Sequence, residues 1–191
     1  MKRTTIFGAM SLLLLALGVP VAGPVAAGPT CTVTGTPAGE RLDGTPGRDV
    51  ICGLGGNDTL YGGGGNDLLY GGDGADTMFG GGGNDVLIGG DGGDYANNGP
   101  GSDIVKLGQG RDQSYGGGGN DRTYGGPDPD FLLDFYGVDH IYGGWGGDSC
   151  LAAWDNDGAD TIDGGPGRDI WFTDLGDTRI SLERHISCFA E

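Results

Sequence analysis

The sequence predicts an all-β fold, a parallel solenoid of nine-residue repeats with two repeats to each coil. Three observations predict it. Aspartate recurs every nine residues, twelve times without a slip, at Asp49, Asp58, Asp67, Asp76, Asp85, Asp94, Asp103, Asp112, Asp121, Asp130, Asp139 and Asp148. Glycine stands two places before nearly all of them, from Gly47 to Gly146, with Asp128 the exception. A mostly apolar residue stands two places after: Ile51, Leu60, Leu69, Met78, Leu87, Val105, Leu132 and Ile141, with Ala96, Ser114, Thr123 and Cys150 as weaker members. A chain with 46 Gly and 9 Pro in 191 residues is either low-complexity or periodic. A fixed register of this length is the signature of repeat architecture.

Residues 1–27 read as an export signal. Lys2 and Arg3 give the positive start, Ile6 to Val19 the apolar stretch, and Val25-Ala26-Ala27 small residues suited to cleavage. The apolar stretch falls short of the roughly 20 residues that a membrane span needs, and Gly18 and Pro20 interrupt it. The expectation is a secreted, extracellular chain with no membrane span once the signal is removed. Residues 28–43 are expected to cap the N-terminal end.

Residues 44–172 are expected to form the repeats. Glu40 extends the register one step back, and after a three-residue insertion at Ala152 to Trp154, Asp160 and Asp169 resume it. In each repeat six Gly-rich residues are expected to make a turn, since Gly accepts positive φ and close backbone approach. The last three are expected to make a short strand whose middle residue points inward and whose neighbours point outward. One such strand cannot bury its apolar residue alone. Two repeats make an 18-residue coil, and coils about 4.8 Å apart stack into two parallel ladders, so that seven would reach roughly 34 Å. Residues 173–191 are expected to cap the other end, because Ile180, Leu182, Ile186 and Cys188 alternate with polar residues, Arg184 being the exception, and an open sheet edge invites pairing.

Cys31, Cys52, Cys150 and Cys188 are even in number, which in an exported chain suggests disulfides. Three pairings are open. Proximity in sequence favours Cys31 with Cys52 and Cys150 with Cys188.

The formal charge is −17, and removal of Lys2 and Arg3 takes it two units further down. That sign excludes nucleic acid as an expected partner. Stacking would gather Asp49, Asp67, Asp85, Asp103, Asp121 and Asp139 on one edge and Asp58, Asp76, Asp94, Asp112, Asp130 and Asp148 on the other. Carboxylates so close repel and need a neutralising cation. Calcium fits, because it takes six to eight oxygen ligands, including backbone carbonyls that a Gly-rich turn can supply. Zinc wants the His or Cys that these turns lack.

Gly62 to Tyr70 reads GGGGNDLLY, Gly71 to Phe79 GGDGADTMF, Gly80 to Ile88 GGGGNDVLI and Gly116 to Tyr124 GGGGNDRTY. The nonapeptide resembles the RTX (repeats-in-toxin, haemolysin-type) calcium-binding repeat. The resemblance covers about residues 44–172 and implies a right-handed parallel β-roll that folds when several calcium ions bind. It also implies that the aspartate at the sixth place ligates the ion together with turn carbonyls. On that basis the expected ligands are Asp49, Asp58, Asp67, Asp76, Asp85, Asp94, Asp103, Asp112, Asp121, Asp148, Asp160 and Asp169. Asp130 and Asp139, whose turns have lost Gly, are expected to contribute little. Family members that are toxins, proteases or lipases carry a large domain ahead of the repeats. Here about 16 residues separate Ala27 from the first full repeat, so the resemblance implies calcium binding and not toxin activity.

Outward strand places carry Tyr61, Tyr70, Phe79, Tyr115, Tyr124, Tyr142 and Phe172, a stripe that suits stacked support of the sheet or a partner. Residues 131–154 are rich in large apolar side chains and read either as a contact patch or as a distorted core. No G-x-S-x-G, H-E-x-x-H or G-K-[ST] motif occurs, and neither His140 nor His185 has an evident nucleophile to activate. The expectation is a non-enzymatic structural or adhesive module whose partners are calcium and cell-surface or matrix components. An extracellular hydrolase or toxin-like effector is the alternative.

Overall fold

The computed structural model describes residues 30–153, 160–173, 177–180 and 184–185. The 1–27 segment, Trp154 and Cys188, and with it the Cys150–Cys188 pairing, lie outside them. The described strands form two nine-stranded, wholly parallel sheets. One holds β1 (Val33–Thr34), β3 (Val50–Gly55), β5 (Leu68–Asp73), β7 (Val86–Asp91), β9 (Ile104–Gln109), β11 (Arg122–Pro127), β13 (His140–Trp145), β15 (Thr161–Asp163) and β17 (Thr178–Ile180). The other holds β2 (Arg41–Asp43), β4 (Thr59–Gly64), β6 (Thr77–Gly82), β8 (Tyr95–Pro100), β10 (Gln113–Gly118), β12 (Phe131–Asp134), β14 (Ser149–Ala153), β16 (Ile170–Thr173) and β18 (Arg184–His185). The chain alternates between the sheets and so winds a β-roll, two repeats per coil. Among the described residues no helix is long and apolar enough to cross a membrane.

Register follows the sequence period. Leu68 pairs with Val86, Leu69 with Leu87 and Tyr70 with Ile88, each 18 residues on. The insertion lengthens one coil, so that His140 pairs with Thr161, and the ladder from β12 to β14 shifts between Phe131 and Leu133. The ladders run on at both ends, where β1 pairs β3 and β15 pairs β17.

The strands are longer and the turns shorter than the sequence suggested. Most strands have six residues, such as Leu68–Asp73, and only Gly74, Ala75 and Asp76 separate that strand from the next. The reason is that the first glycines of each repeat remain in the ladder, even where φ is positive, as Gly63 opposite Gly81 and Gly64 opposite Gly82 show. The burial pattern along a strand therefore has two inward places, the expected apolar one and the first residue of the following repeat.

The inward column packs Leu42, Ile51, Leu60, Leu69, Met78, Leu87, Ala96, Val105, Leu132, Ile141 and Ile162 into one core, with Trp171 half-buried against it. Leu107 joins this core from the second inward place. Each coil contributes about two such side chains, and a fully buried Leu or Ile is worth roughly 1.5–3 kcal/mol. So the core is thin, and much of its lining is polar. A second small cluster gathers Leu133, Tyr115, Phe131 and Phe135 beside the register shift, while Trp145 remains 73% exposed. Within region 131–154, residues 131–149 thus combine a distorted core with an exposed apolar side chain.

Cys31 and Cys52 form a disulfide with Cα atoms 6.0 Å apart. It ties the segment entering β1 to β3, which pair at Thr34 and Cys52. On the outer face of the even-numbered sheet Tyr61 stacks on Phe79 at 4.9 Å, and the row continues through Tyr95, Tyr115 and Phe131. Tyr124 stacks on Tyr142 in the other sheet.

Candidate metal centre

Most repeat aspartates follow a turn glycine with positive φ, such as Gly74 (+128°) before Asp76 and Gly83 (+126°) before Asp85, and before Asp130 the place is held by Asp128 at +85°. That backbone turns the chain sharply enough to send the aspartate side chain inward. All the repeat aspartates from Asp49 to Asp148, with Asp160 and Asp169, are buried.

Their hydrogen bonds form two columns. In one, the Asp49 backbone N–H donates to Asp67 Oδ1 at 2.8 Å, Asp67 to Asp85, Asp85 to Asp103, Asp103 to Asp121, Asp121 to Asp139 and Asp139 to Asp160. In the other, Glu40 donates to Asp58 Oδ1, Asp58 to Asp76, Asp76 to Asp94, Asp94 to Asp112, Asp112 to Asp130, Asp130 to Asp148 and Asp148 to Asp169. The structure therefore brings together every sequence-predicted aspartate except that Asp49, at the N-terminal end, turns its Oδ2 to the Thr45 N–H and hydroxyl. It places Asp130 and Asp139 in the same columns, with the same bonds.

The second oxygen differs. Oδ2 of Asp58, Asp67, Asp76, Asp85, Asp94, Asp103, Asp112, Asp121, Asp130 and Asp148 is buried without a hydrogen-bond partner. A methyl placed on Gly62 would collide with both Asp67 Oδ2 and the Gly80 carbonyl oxygen of the next coil. One placed on Gly71 would collide with Asp76 Oδ2 and the Gly89 carbonyl. So the first glycine of the repeat leaves a gap on which a carboxylate oxygen and a carbonyl oxygen from successive coils converge. A buried polar atom left unpartnered costs roughly 1–3 kcal/mol, and a charged one more. Here it recurs in coil after coil.

The electrostatics agree. Burial is the main force that raises the carboxyl groups of Asp67, Asp76 and Asp85 above their ordinary value. It pushes Asp94 and Asp103 to about 7 and Asp130 to about 8, with repulsion from neighbouring carboxylates adding to it. The backbone N–H donor opposes each rise. Asp49 runs the other way, because its bonds to Thr45 hold it below the usual range. Among the described residues the ion pair recorded is Arg41 with Asp43, both exposed and outside the columns. Carboxylate and carbonyl oxygens with no His or thiolate form the donor set of a hard cation.

Three features escaped the sequence reading. Asp177 accepts from the Asp160 N–H at 3.2 Å and so extends a column, but it stands 17 residues on, and a strict count of nine passes over it. Asp134 joins Asp121 and Asp139 in a group whose carboxylate oxygens lie within 4.8 Å of one another. It occupies a place that the repeat gives to Gly, and no count of sixth-place aspartates finds it. Asn66, Asn84 and Asn120 lie in an outer column on one edge and Asn57 on the other, and each Oδ1 accepts a backbone N–H 18 residues on.

The family model for the RTX calcium-binding nonapeptide repeat matches this chain in overlapping stretches: residues 34–69, 61–96, 70–105, 97–132, 115–150, 124–158 and 152–180. No curated protein matches it.

Proposed function

Because the chain belongs to the family of RTX calcium-binding nonapeptide repeat proteins, we propose that it is an exported β-roll that folds on calcium and serves as an extracellular structural or adhesive module. Calcium binding is what the repeats confer. Export rests on the reading of residues 1–27. The structural role rests on the absence of a catalytic motif from the sequence, and cell-surface or matrix material is the proposed partner. One observation carries the calcium-driven folding: the buried, unpartnered Oδ2 atoms that recur from Asp58 to Asp130. A metal-free roll must leave these oxygens charged and unsatisfied or protonate them. Calcium held between carboxylate and carbonyl oxygens of successive coils removes that cost, so its binding free energy becomes folding free energy.

Circular dichroism tests this. In chelator at pH 7.5 the chain is expected to be largely unordered, and calcium at about 10⁻⁴–10⁻³ M, the range of extracellular modules, is expected to restore the β signal. Full β structure in chelator would sink the folding proposal. Turnover in a panel of carbohydrate, ester and peptide substrates would sink the non-enzymatic one.

A further inference from the structure

The inner place at the start of each repeat is almost always Gly. Along one edge it reads Gly62, Gly80, Asn98, Gly116 and Asp134. Asn98 and Asp134 therefore lie one coil to either side of Gly116. Both are buried, at 0% and 1% exposure. The Asp134 carboxylate lies against the bare Cα of Gly116, where any Cβ would overlap it. From there it meets Asp121 and Asp139, and the three carboxylate oxygens come within 4.8 Å of one another.

A second observation comes from the opposite side. The Asn98 amide N–H group faces the Asp121 carboxylate and favours its charged form, while Asn98 Oδ1 is buried without a hydrogen-bond partner. Oδ2 of Asp121 and of Asp134 is likewise unpartnered, while Asp134 Oδ1 accepts the Phe135 N–H at 3.1 Å. The same stretch of core turns polar, with the Ser114 and Thr123 hydroxyls buried. So a fully buried amide and the extra carboxylate of Asp134 occupy places that the rest of this edge gives to glycine, beside Asp121 and Asp139. Three like charges so close repel strongly at low dielectric, and burial with repulsion from Asp139 and Asp121 pushes the Asp134 carboxyl to about 9. One proton would quiet Asp134 alone and leave the Asn98 amide unsatisfied. A hard divalent cation satisfies carboxylate and amide oxygens together.

We propose that Asn98, Asp121, Asp134 and Asp139 form an interior calcium site of their own, in which Asn98 and Asp134 bring side chains to first places of the repeat, where the regular sites offer glycine and a carbonyl. This rests on the calcium-binding reading above.

Native mass spectrometry of the calcium-saturated full chain tests it by counting ions. The variant is Asp134→Leu, since Leu107 shows that a leucine fits this inner place beside glycines. The variant is expected to keep the roll and hold one ion fewer than the unmodified chain. An equal count in a folded variant would overturn the proposal and assign the cluster to a shared proton. If Asp134→Leu does not fold, Asn98→Ala decides, because it keeps all three carboxylates. One calcium is then expected to weaken about tenfold in a calcium titration, the scale of a lost supporting ligand, and an unchanged titration would overturn the site. An unmodified chain that binds no calcium at all would instead bring down the proposed function itself.

Discussion

At Asp85 one carboxylate oxygen accepts the Asp67 backbone N–H at 2.8 Å and the other is buried with no partner. The first bond ties two coils together. The second oxygen is the proposed calcium ligand, and the bond between coils repeats at Asp139, which accepts the Asp121 N–H at 2.8 Å and is 1% exposed. Loss of Gly around Asp139 reads from sequence as a degraded turn, yet the bond geometry there is the same. Asp85→Ala and Asp139→Ala are therefore both expected to raise the calcium midpoint of folding about tenfold, equivalent to ~1.4 kcal/mol, as read by circular dichroism. A midpoint unmoved by Asp139→Ala would restore the sequence-based distinction between intact and degraded turns.

Where a strand meets its turn, neighbouring glycines do different jobs. Gly83 has φ +126°, and a Cβ there would run into the Gly65 carbonyl of the coil before; Gly82, at the end of β6, has nothing within 4 Å of its Cβ direction and no positive φ. Left-handed backbone costs a non-glycine residue of order 1–3 kcal/mol, and overpacking against rigid backbone adds to that. Gly83→Ala is expected to lower stability by about 3 kcal/mol and Gly82→Ala by less than about 1 kcal/mol, by thermal unfolding in saturating calcium. Equal losses would show that composition, and not conformation, selects these glycines. At the N-terminal end, the Cys31–Cys52 link closes a 21-residue separation, and such a loop is worth about 3 kcal/mol in the unfolded-chain entropy account. Replacing both cysteines with serine is expected to cost that much and to fray β1 first, with early hydrogen exchange at Thr32 and Gly35, whose N–H groups bond Val50 and Cys52 of β3.

The whole roll is an array of buried acids that either a metal or protons must quiet. In the metal-free fold Asp112, Asp121 and Asp148 rise to about 6, Asp94 and Asp103 to about 7 and Asp130 to about 8, chiefly through burial, from an ordinary value of 3.8. Between pH 4 and 8 the folded chain thus holds protons that the unfolded chain has released. Linkage then makes the metal-free roll most stable below about pH 4, with that stability lost as pH rises through 6 to 8. In chelator, β signal is expected to grow as pH falls from 8 to 5.5. A signal that falls or stays flat over that interval would contradict the burial of these groups.

What the sequence determines by itself is whatever repeats. Asp, Gly and an apolar residue in fixed register specify two parallel ladders, because an 18-residue coil puts Leu69 over Leu87 and no slip by one keeps those side chains inside. The disulfide partner of Cys31 was legible as the nearest cysteine but not determined, since three pairings shared the same composition. Tertiary structure decided what lies off the period. The aspartate column continues to Asp177 at a spacing of 17 because hydrogen bonding between coils sets it. Strands reach six residues because glycines that look like turn formers are held in the ladder by their neighbours. Asp134 meets Asp121 and Asp139 because the missing side chain of Gly116 makes room one coil away. Periodicity is a property of the chain read in one dimension. Which oxygen is left without a partner depends on what the coils above and below bring to the same point.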